Sequence, residues 1–177
     1  MARLLMPSSI IHHPSSLAFI ALGSNQGKSR EIIQAAITHA KFCTDFPILQ
    51  SSIWLTAPVD CPPGSPAFLN AVVGFVPQKG ETPESLLEKI HELEKVFGRA
   101  PKKILNEPRP LDLDLIAFGN KIRNSPDLIL PHPRAHLRRF VLQPLSEIAP
   151  DLILPGQGRT VSQLLAGLPG DEIATRI

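Results

Sequence analysis

A chain of 177 residues, 43% apolar and 19% charged, is long enough for one ordinary domain with a real core. Its net charge of +2 permits an anionic ligand without demanding nucleic acid, and no stretch approaches the ~20 apolar residues of a membrane span. Cys43 and Cys61 are the only cysteines, which argues against a disulfide framework or a thiolate metal site and reads as two thiols in a reducing compartment.

In chain order, residues 1–16 read as a flexible leader. Ser8, Ser9, His12, His13 and Pro14 interrupt any signal-peptide core, so the cytoplasm is the expected location. Leu17 to Leu22 reads as a short buried strand that ends in Gly23-Ser24-Asn25-Gln26-Gly27. From Arg30 to Phe42 the apolar residues Ile32, Ile33, Ala36, Ile37 and Ala40 have helical spacing. Ile48 to Thr56 reads as a strand, Ala57 to Pro66 as a proline-rich loop, and Ala67 to Val76 as the next strand. Thr82 and Pro83 are cap and first residue of a helix with the apolar stripe Leu86, Leu87, Ile90, Leu93 and Phe97, closed by Gly98.

Ala100 to Pro110 is a second irregular segment, followed by a strand over Leu111 to Phe118. Gly119-Asn120 predicts a tight turn into a short hairpin with Lys121-Ile122-Arg123. Arg134 to Ile148 predicts helix broken at Pro144, Asp151 to Leu154 a short strand, and Val161 to Leu165 a last helix. The order β-α-β-β-α-β is that of an α+β, ferredoxin-like sandwich with a mainly antiparallel sheet and additional C-terminal elements. With no repeat and no long linker, residues 17–177 are expected to form a single domain.

Chemistry concentrates in Pro108-Arg109-Pro110-Leu111-Asp112-Leu113-Asp114. On a strand, Asp112 and Asp114 share one face about 6.5–7 Å apart, and Leu113 takes the other. Such a pair suits two Mg²⁺ ions about 3.5–4 Å apart, as in displacement at phosphorus. It equally suits a strand whose aspartates are merely solvated. Phe68 and Asn70 also share a strand face. Together they suit a flat heterocycle, or else a core ring and an amide that satisfies backbone. Arg99, Lys102, Lys103, Arg109, His132, Arg134, Arg138 and Arg139 supply phosphate-binding donors around the acidic pair, or a solvated basic face. Neither a P-loop nor a G-x-G-x-x-G string is present.

These segments together resemble the hydroxymethyl-dihydropterin pyrophosphokinases of folate biosynthesis. The resemblance runs from Ala21-Leu22-Gly23-Ser24-Asn25 through Phe68-Leu69-Asn70-Ala71, Leu93 to Arg99, Pro108 to Asp114 and Leu130-Pro131-His132-Pro133-Arg134. It continues in Arg138 to Leu142 and Pro144 to Pro150, in family order over roughly residues 18–166. It implies transfer of the β,γ-pyrophosphoryl group of ATP to 6-hydroxymethyl-7,8-dihydropterin, leaving AMP. It also implies two Mg²⁺ held by Asp112 and Asp114. Arg99 and Arg109 fall on catalytic positions. Glu94, Arg109, Leu115, Ile129, His132, Pro133 and Arg138 fall around the nucleotide, and Thr56, Ala57, Val59, Phe68, Asn70 and Phe140 around the pterin. Implied partners are the two small substrates alone, without nucleic acid or membrane, and the chain is expected to act as a monomer.

The chain departs from the family pattern at Pro101 and Asp127, where arginines are usual, and at Asn106, where a tryptophan often covers the pterin. Lys102 or Lys103 offers a substitute charge without the planar bidentate fork. Two other readings follow: a ferredoxin-like nucleic-acid-binding module, and a family member that binds its ligands without turnover. The two long loops, Ala57–Pro66 and Ala100–Pro110, suggest a site that closes in stages, ATP first.

Overall fold

The computed structural model describes residues 16–100, 104, 106–170 and 172–177. Residues 1–15 of the expected leader and Pro101, Lys102 and Lys103 lie outside the described residues. Strand β1 (Ala18–Ser24) is followed by helix α1 (Ser29–Ala40), which tightens into a 3₁₀ turn at Lys41–Cys43. Next come β2 (Leu49–Gln50), β3 (Trp54–Thr56), β4 (Phe68–Phe75) and helix α2 (Pro83–Val96). Strand β5 (Asp112–Phe118) precedes the two-residue strands β6 (Arg123–Asn124) and β7 (Ile129–Leu130). Helix α3 (Arg139–Ile148), helix α4 (Val161–Ala166) and strand β8 (Ala174–Arg176) complete the chain.

The main sheet runs β5-β1-β4-β3-β8, with β2 also on β4, and every pairing is antiparallel. This is the ferredoxin-like arrangement, to which the C-terminal part adds β8 on the main sheet, the separate β6-β7 pair and helices α3 and α4. Alternation along the central strands builds two cores. Ile20 and Leu22 of β1, Val73 of β4 and Leu113 of β5 pack with Ile33 of α1 and Leu86 of α2. Phe19, Val72 and Ile116 take the opposite face, under Val141 and Leu145 of α3 and Val161 of α4. Helices therefore cover both faces of the sheet, and each strand must be apolar on both sides where it is covered.

α2 begins as its sequence dictates: Thr82 accepts from the Ser85 amide, Ser85 returns the bond to the Thr82 amide, and Pro83 opens the helix. Gly98, at φ 86°, ends it in the left-handed region.

Four expectations need correction. The strand expected over Ile48–Thr56 is two strands. Between them the Ser51 hydroxyl accepts from the Val72 amide at 2.9 Å, a place a backbone carbonyl would fill in a regular ladder. Lys121-Ile122-Arg123 does not pair with β5. The turn forms, but β6 pairs with β7, and the outer edge of β5 is taken by His132, whose amide donates to the Ile116 carbonyl at 2.9 Å. α3 passes through Pro144 without breaking; the ring is buried among Val141, Leu142 and Leu145, and only one helical bond is forgone. Asp151–Leu154 forms no strand: Leu152 and Leu154 are buried in the second core, and the Leu152 carbonyl accepts from Val161.

Candidate active site

The site lies where β1 ends, on the face of the sheet shared with α3. Asp112 and Asp114 sit opposite Gly23 and Ala21 of β1, whose small side chains leave a trough on that face. Asn70 and Phe68 of β4 stand on the other side of the trough: a Cβ added at Gly23 would come within 3.2 Å of Asn70 Oδ1 and 3.6 Å of the Phe68 ring. Beyond Asp114 the strand register shifts, so that Ile20 faces Leu115 while Phe19 faces Ala117. The extra residue, Ile116, is the one whose carbonyl holds His132 in place beside Asp114.

Two clefts open from this point and share Asn106, Arg109, Asp112, Asp114 and Arg138. The first spans about 580 Å³, its open mouth included, and mixes apolar with polar lining. Phe68 and Phe140 lie in its wall with Thr56, Ala57, Val59 and Asn70. Asn70 Nδ2 donates to Thr56 Oγ1 at 2.7 Å, which fixes the amide and leaves Oδ1 beside Gly23. Arg109 lies 5.6 Å from the Phe68 ring centre and Arg138 lies 5.2 Å from that of Phe140, so each ring already accepts a flat cationic partner. Arrayed amide, hydroxyl and aromatic groups of this kind suit a flat heterocycle with polar edges.

The second cleft spans about 650 Å³, its open mouth included, and is lined by charged and polar groups: Glu94, Arg99, His132, Arg134 and Arg138, with the two aspartates. Arg99 bonds both Glu94 and Asp112, the latter at 2.9 Å, and Arg109 bonds the other Asp112 oxygen at 2.6 Å. Glu94 is buried, only 4% exposed, and also accepts from the Leu113 amide at 2.7 Å. Burial nonetheless pushes its carboxyl above the ordinary value, against the pull of that amide and of Arg99. Guanidinium groups in such number suit a polyphosphate.

Burial, then the charge of Asp112, raises the Asp114 carboxyl, against the pull of His132, Arg138 and Arg109. A buried carboxylate still short of positive charge fits a hard cation. Among the described residues no group of three or more His, Cys, Asp or Glu is disposed to hold a metal. A divalent ion here would take the two aspartates and complete its shell with oxygens from water and a bound phosphate, the habit of Mg²⁺. His132 Nδ1 accepts from the Arg134 amide at 3.2 Å, which leaves Nε2 as the donor of the neutral ring. Burial keeps that imidazole below its usual pKa.

Most residues singled out from the sequence thus meet at one place. Leu115, Ile129 and Pro133 line neither cleft. The Leu115 side chain is buried in the core on the opposite face, and Ile129 is exposed on β7. Asp127 lies in the turn between β6 and β7 and also lines neither cleft. Asn106 is left-handed, at φ 54°, and its amide donates to the Asp60 carbonyl at 2.7 Å, joining the two long loops over the first cleft. Sequence reading missed His91, which lines the second cleft. It precedes Glu94 by three residues on α2, so helical spacing alone places the two on one face.

A family model described as "7,8-dihydro-6-hydroxymethylpterin-pyrophosphokinase (HPPK)" matches residues 19–150. The chain is 35% identical over 156 residues to the 2-amino-4-hydroxy-6-hydroxymethyldihydropteridine pyrophosphokinase of Pseudomonas aeruginosa, covering 88% of this chain and 93% of that protein. It is 34% identical over 148 residues to the protein of the same name from Synechocystis, covering 84% and 74%. Among solved structures, HPPK-DHPS in complex with substrates superposes with a TM-score of 0.67 at 13% identity, over 85% of this chain and 42% of that one. The chain thus spans about two fifths of that larger molecule, and the likeness there is one of fold. The chain belongs to the 7,8-dihydro-6-hydroxymethylpterin-pyrophosphokinase family.

Proposed function

We propose that the chain transfers the β,γ-pyrophosphoryl group of ATP to the hydroxymethyl oxygen of 6-hydroxymethyl-7,8-dihydropterin, giving AMP and the pterin diphosphate. The observation that carries this reading is the common wall of the two clefts. Asp112 and Asp114 stand between an aromatic and amide-lined recess and a guanidinium-lined one. A pterin in the first and a triphosphate in the second would meet across the two carboxylates.

In this reading Asn70 and backbone groups of Thr56, Ala57 and Val59 bind the polar edges of the pterin, with Phe68 and Phe140 against its ring. Arg99, Arg109, Arg138 and His132 bind phosphate oxygens, and Glu94 holds Arg99 in place. Asp112 and Asp114 would hold two Mg²⁺, which when bound neutralise phosphate charge and lower the pKa of the attacking hydroxyl. The protein's own part is then to bring hydroxyl and phosphorus together and to present donors to the charge that develops. Arg99 and Arg109 now bond Asp112, so both must at least share that contact as phosphate enters. The two unpaired thiols, Cys43 and Cys61, support a reducing compartment such as the cytoplasm. No described helix is long and apolar enough to cross a membrane. We read residues 17–177 as one domain acting as a monomer, with ATP binding first.

The test is phosphorus NMR of the purified chain with MgATP and hydroxymethyl-dihydropterin. AMP and a pterin diphosphate are expected. ADP with a pterin monophosphate would overturn the pyrophosphoryl assignment. Binding of both substrates without product would assign the chain a ligand-binding role, the outcome that Pro101 and Asp127 make worth testing. Salt-sensitive oligonucleotide binding in place of ATP binding would favour a nucleic-acid module.

A further inference from the structure

β1 is the central strand of the site, and its neighbours β4 and β5 both run antiparallel to it. Both neighbours therefore begin where β1 ends. Each is preceded by an irregular segment: 57–66 enters β4 and 106–110 enters β5. Asn25, the first residue after β1, sits between the two points of entry. It is only 5% exposed. Its Oδ1 accepts from the Arg109 amide at 2.9 Å, its own amide donates to the Arg109 carbonyl at 3.3 Å, and its Nδ2 donates to the Pro66 carbonyl at 3.3 Å.

We propose that Asn25 is a positioning residue that clamps both loops at once and so sets the spacing of the two substrates; this rests on the pyrophosphokinase reading above. Pro66 lies two residues before Phe68, and Arg109 lies three before Asp112. One short amide thus holds the backbone that aims a wall of the first cleft and the backbone that aims an arginine shared by both. The side chain needs an acceptor for one loop and a donor for the other. Asparagine carries both on one short stem, whereas aspartate can only accept and serine or threonine offers a single oxygen. The buried amide also satisfies an amide and a carbonyl that would otherwise be stranded.

The test compares Asn25→Asp with Asn25→Ala, because aspartate keeps the acceptor for Arg109 and loses the donor for Pro66. NMR-detected hydrogen exchange is followed at the Arg109 amide and at the amides of 57–65, with KM for each substrate measured in parallel. In Asn25→Asp the amides of 57–65 should exchange roughly 10-fold faster while Arg109 stays protected, and KM should rise for the pterin alone. In Asn25→Ala both loops should loosen, both KM values should rise, and kcat should fall roughly 10- to 100-fold. The proposal is overturned if the two variants behave alike, if neither loop loosens, or if exchange rises evenly through β1 and β4. Should Asn25→Ala fail to fold, the one-sided loosening of Asn25→Asp decides alone. If the unaltered chain makes no AMP, the functional reading fails while the exchange pattern still tests the clamp.

Discussion

The two clefts share one wall and differ in almost everything else. One is built on strands: Gly23 and Ala21 form its floor, and Asn70, Thr56 and Phe68 are held by the sheet ladder. The other is built at the edge of the sheet from the end of α2, from β5 and from the irregular segment carrying His132 and Arg134. The first reads shape and edge polarity with groups already fixed by one another, as Asn70 is by Thr56. The second is a set of long charged side chains, several bonded to carboxylates that a phosphate could replace. A flat ring needs a rigid slot, whereas a polyphosphate needs charge that can regroup.

The widest break in this comparison comes from the shared wall. Asp114→Asn should lower turnover roughly 10³-fold or more, by phosphorus NMR or an AMP-coupled assay. It should also melt no lower than the parent at pH 7. Burial raises the Asp114 carboxyl, so its charged form costs stability, and that cost grows as pH rises through the folded-state pKa. Retained turnover would sink the two-metal assignment.

Asn70→Ala separates the clefts. It should raise KM for the pterin roughly 10- to 100-fold and leave nucleotide affinity as it was, since an edge of the ring loses its partner. Calorimetric titration with each ligand checks both halves, and an equal loss for the two would break the division of labour.

Glu94→Ala acts on the second cleft from below. It leaves the Leu113 amide without its acceptor and Arg99 without one of its two carboxylates. A cost of about 1–3 kcal/mol, seen as a melting temperature lower by roughly 2–10 °C, should accompany weaker nucleotide binding. Unchanged pterin affinity would sharpen the contrast.

The smallest effect lies outside both clefts. Burial alone would raise the Glu81 carboxyl, but hydrogen bonds from Lys89 and Ser85 outweigh it and hold the carboxyl below its ordinary value. Its stabilisation is therefore present above the unfolded-state pKa and lost as pH falls through the folded-state one. Glu81→Gln should cost well under about 1 kcal/mol at pH 7, because Lys89 is half-exposed, and less than that at pH 3. Neither KM should change. Denaturant melts at the two pH values check the sign.

How much was legible in advance depended on how local the cause was. The Thr82–Pro83 start of α2, its stop at Gly98 and the common face of Asp112 and Asp114 follow from backbone geometry and spacing over a few residues. β8 carries no such signal. It exists because Ala174–Arg176 finds the open edge of β3, a partner more than a hundred residues away. The same holds for Ser51, whose hydroxyl interrupts a strand only when Val72 lies opposite, and for β6, which turns away from β5 because His132 already holds that edge.

The candidate site divides along the same line. Residue types and their order along the chain determined what chemistry was on offer: two carboxylates on one strand face, a ring and an amide on another, and arginines and a histidine near them. Only the tertiary structure decided that these form two clefts with one wall, that the Leu115 side chain lies in the core on the opposite face, and that Asn25 meets Pro66 and Arg109 at once. The physical reason is the sheet order. By laying β1 between β4 and β5, the fold brings together loop ends far apart in the chain, and no local spacing encodes that neighbourhood.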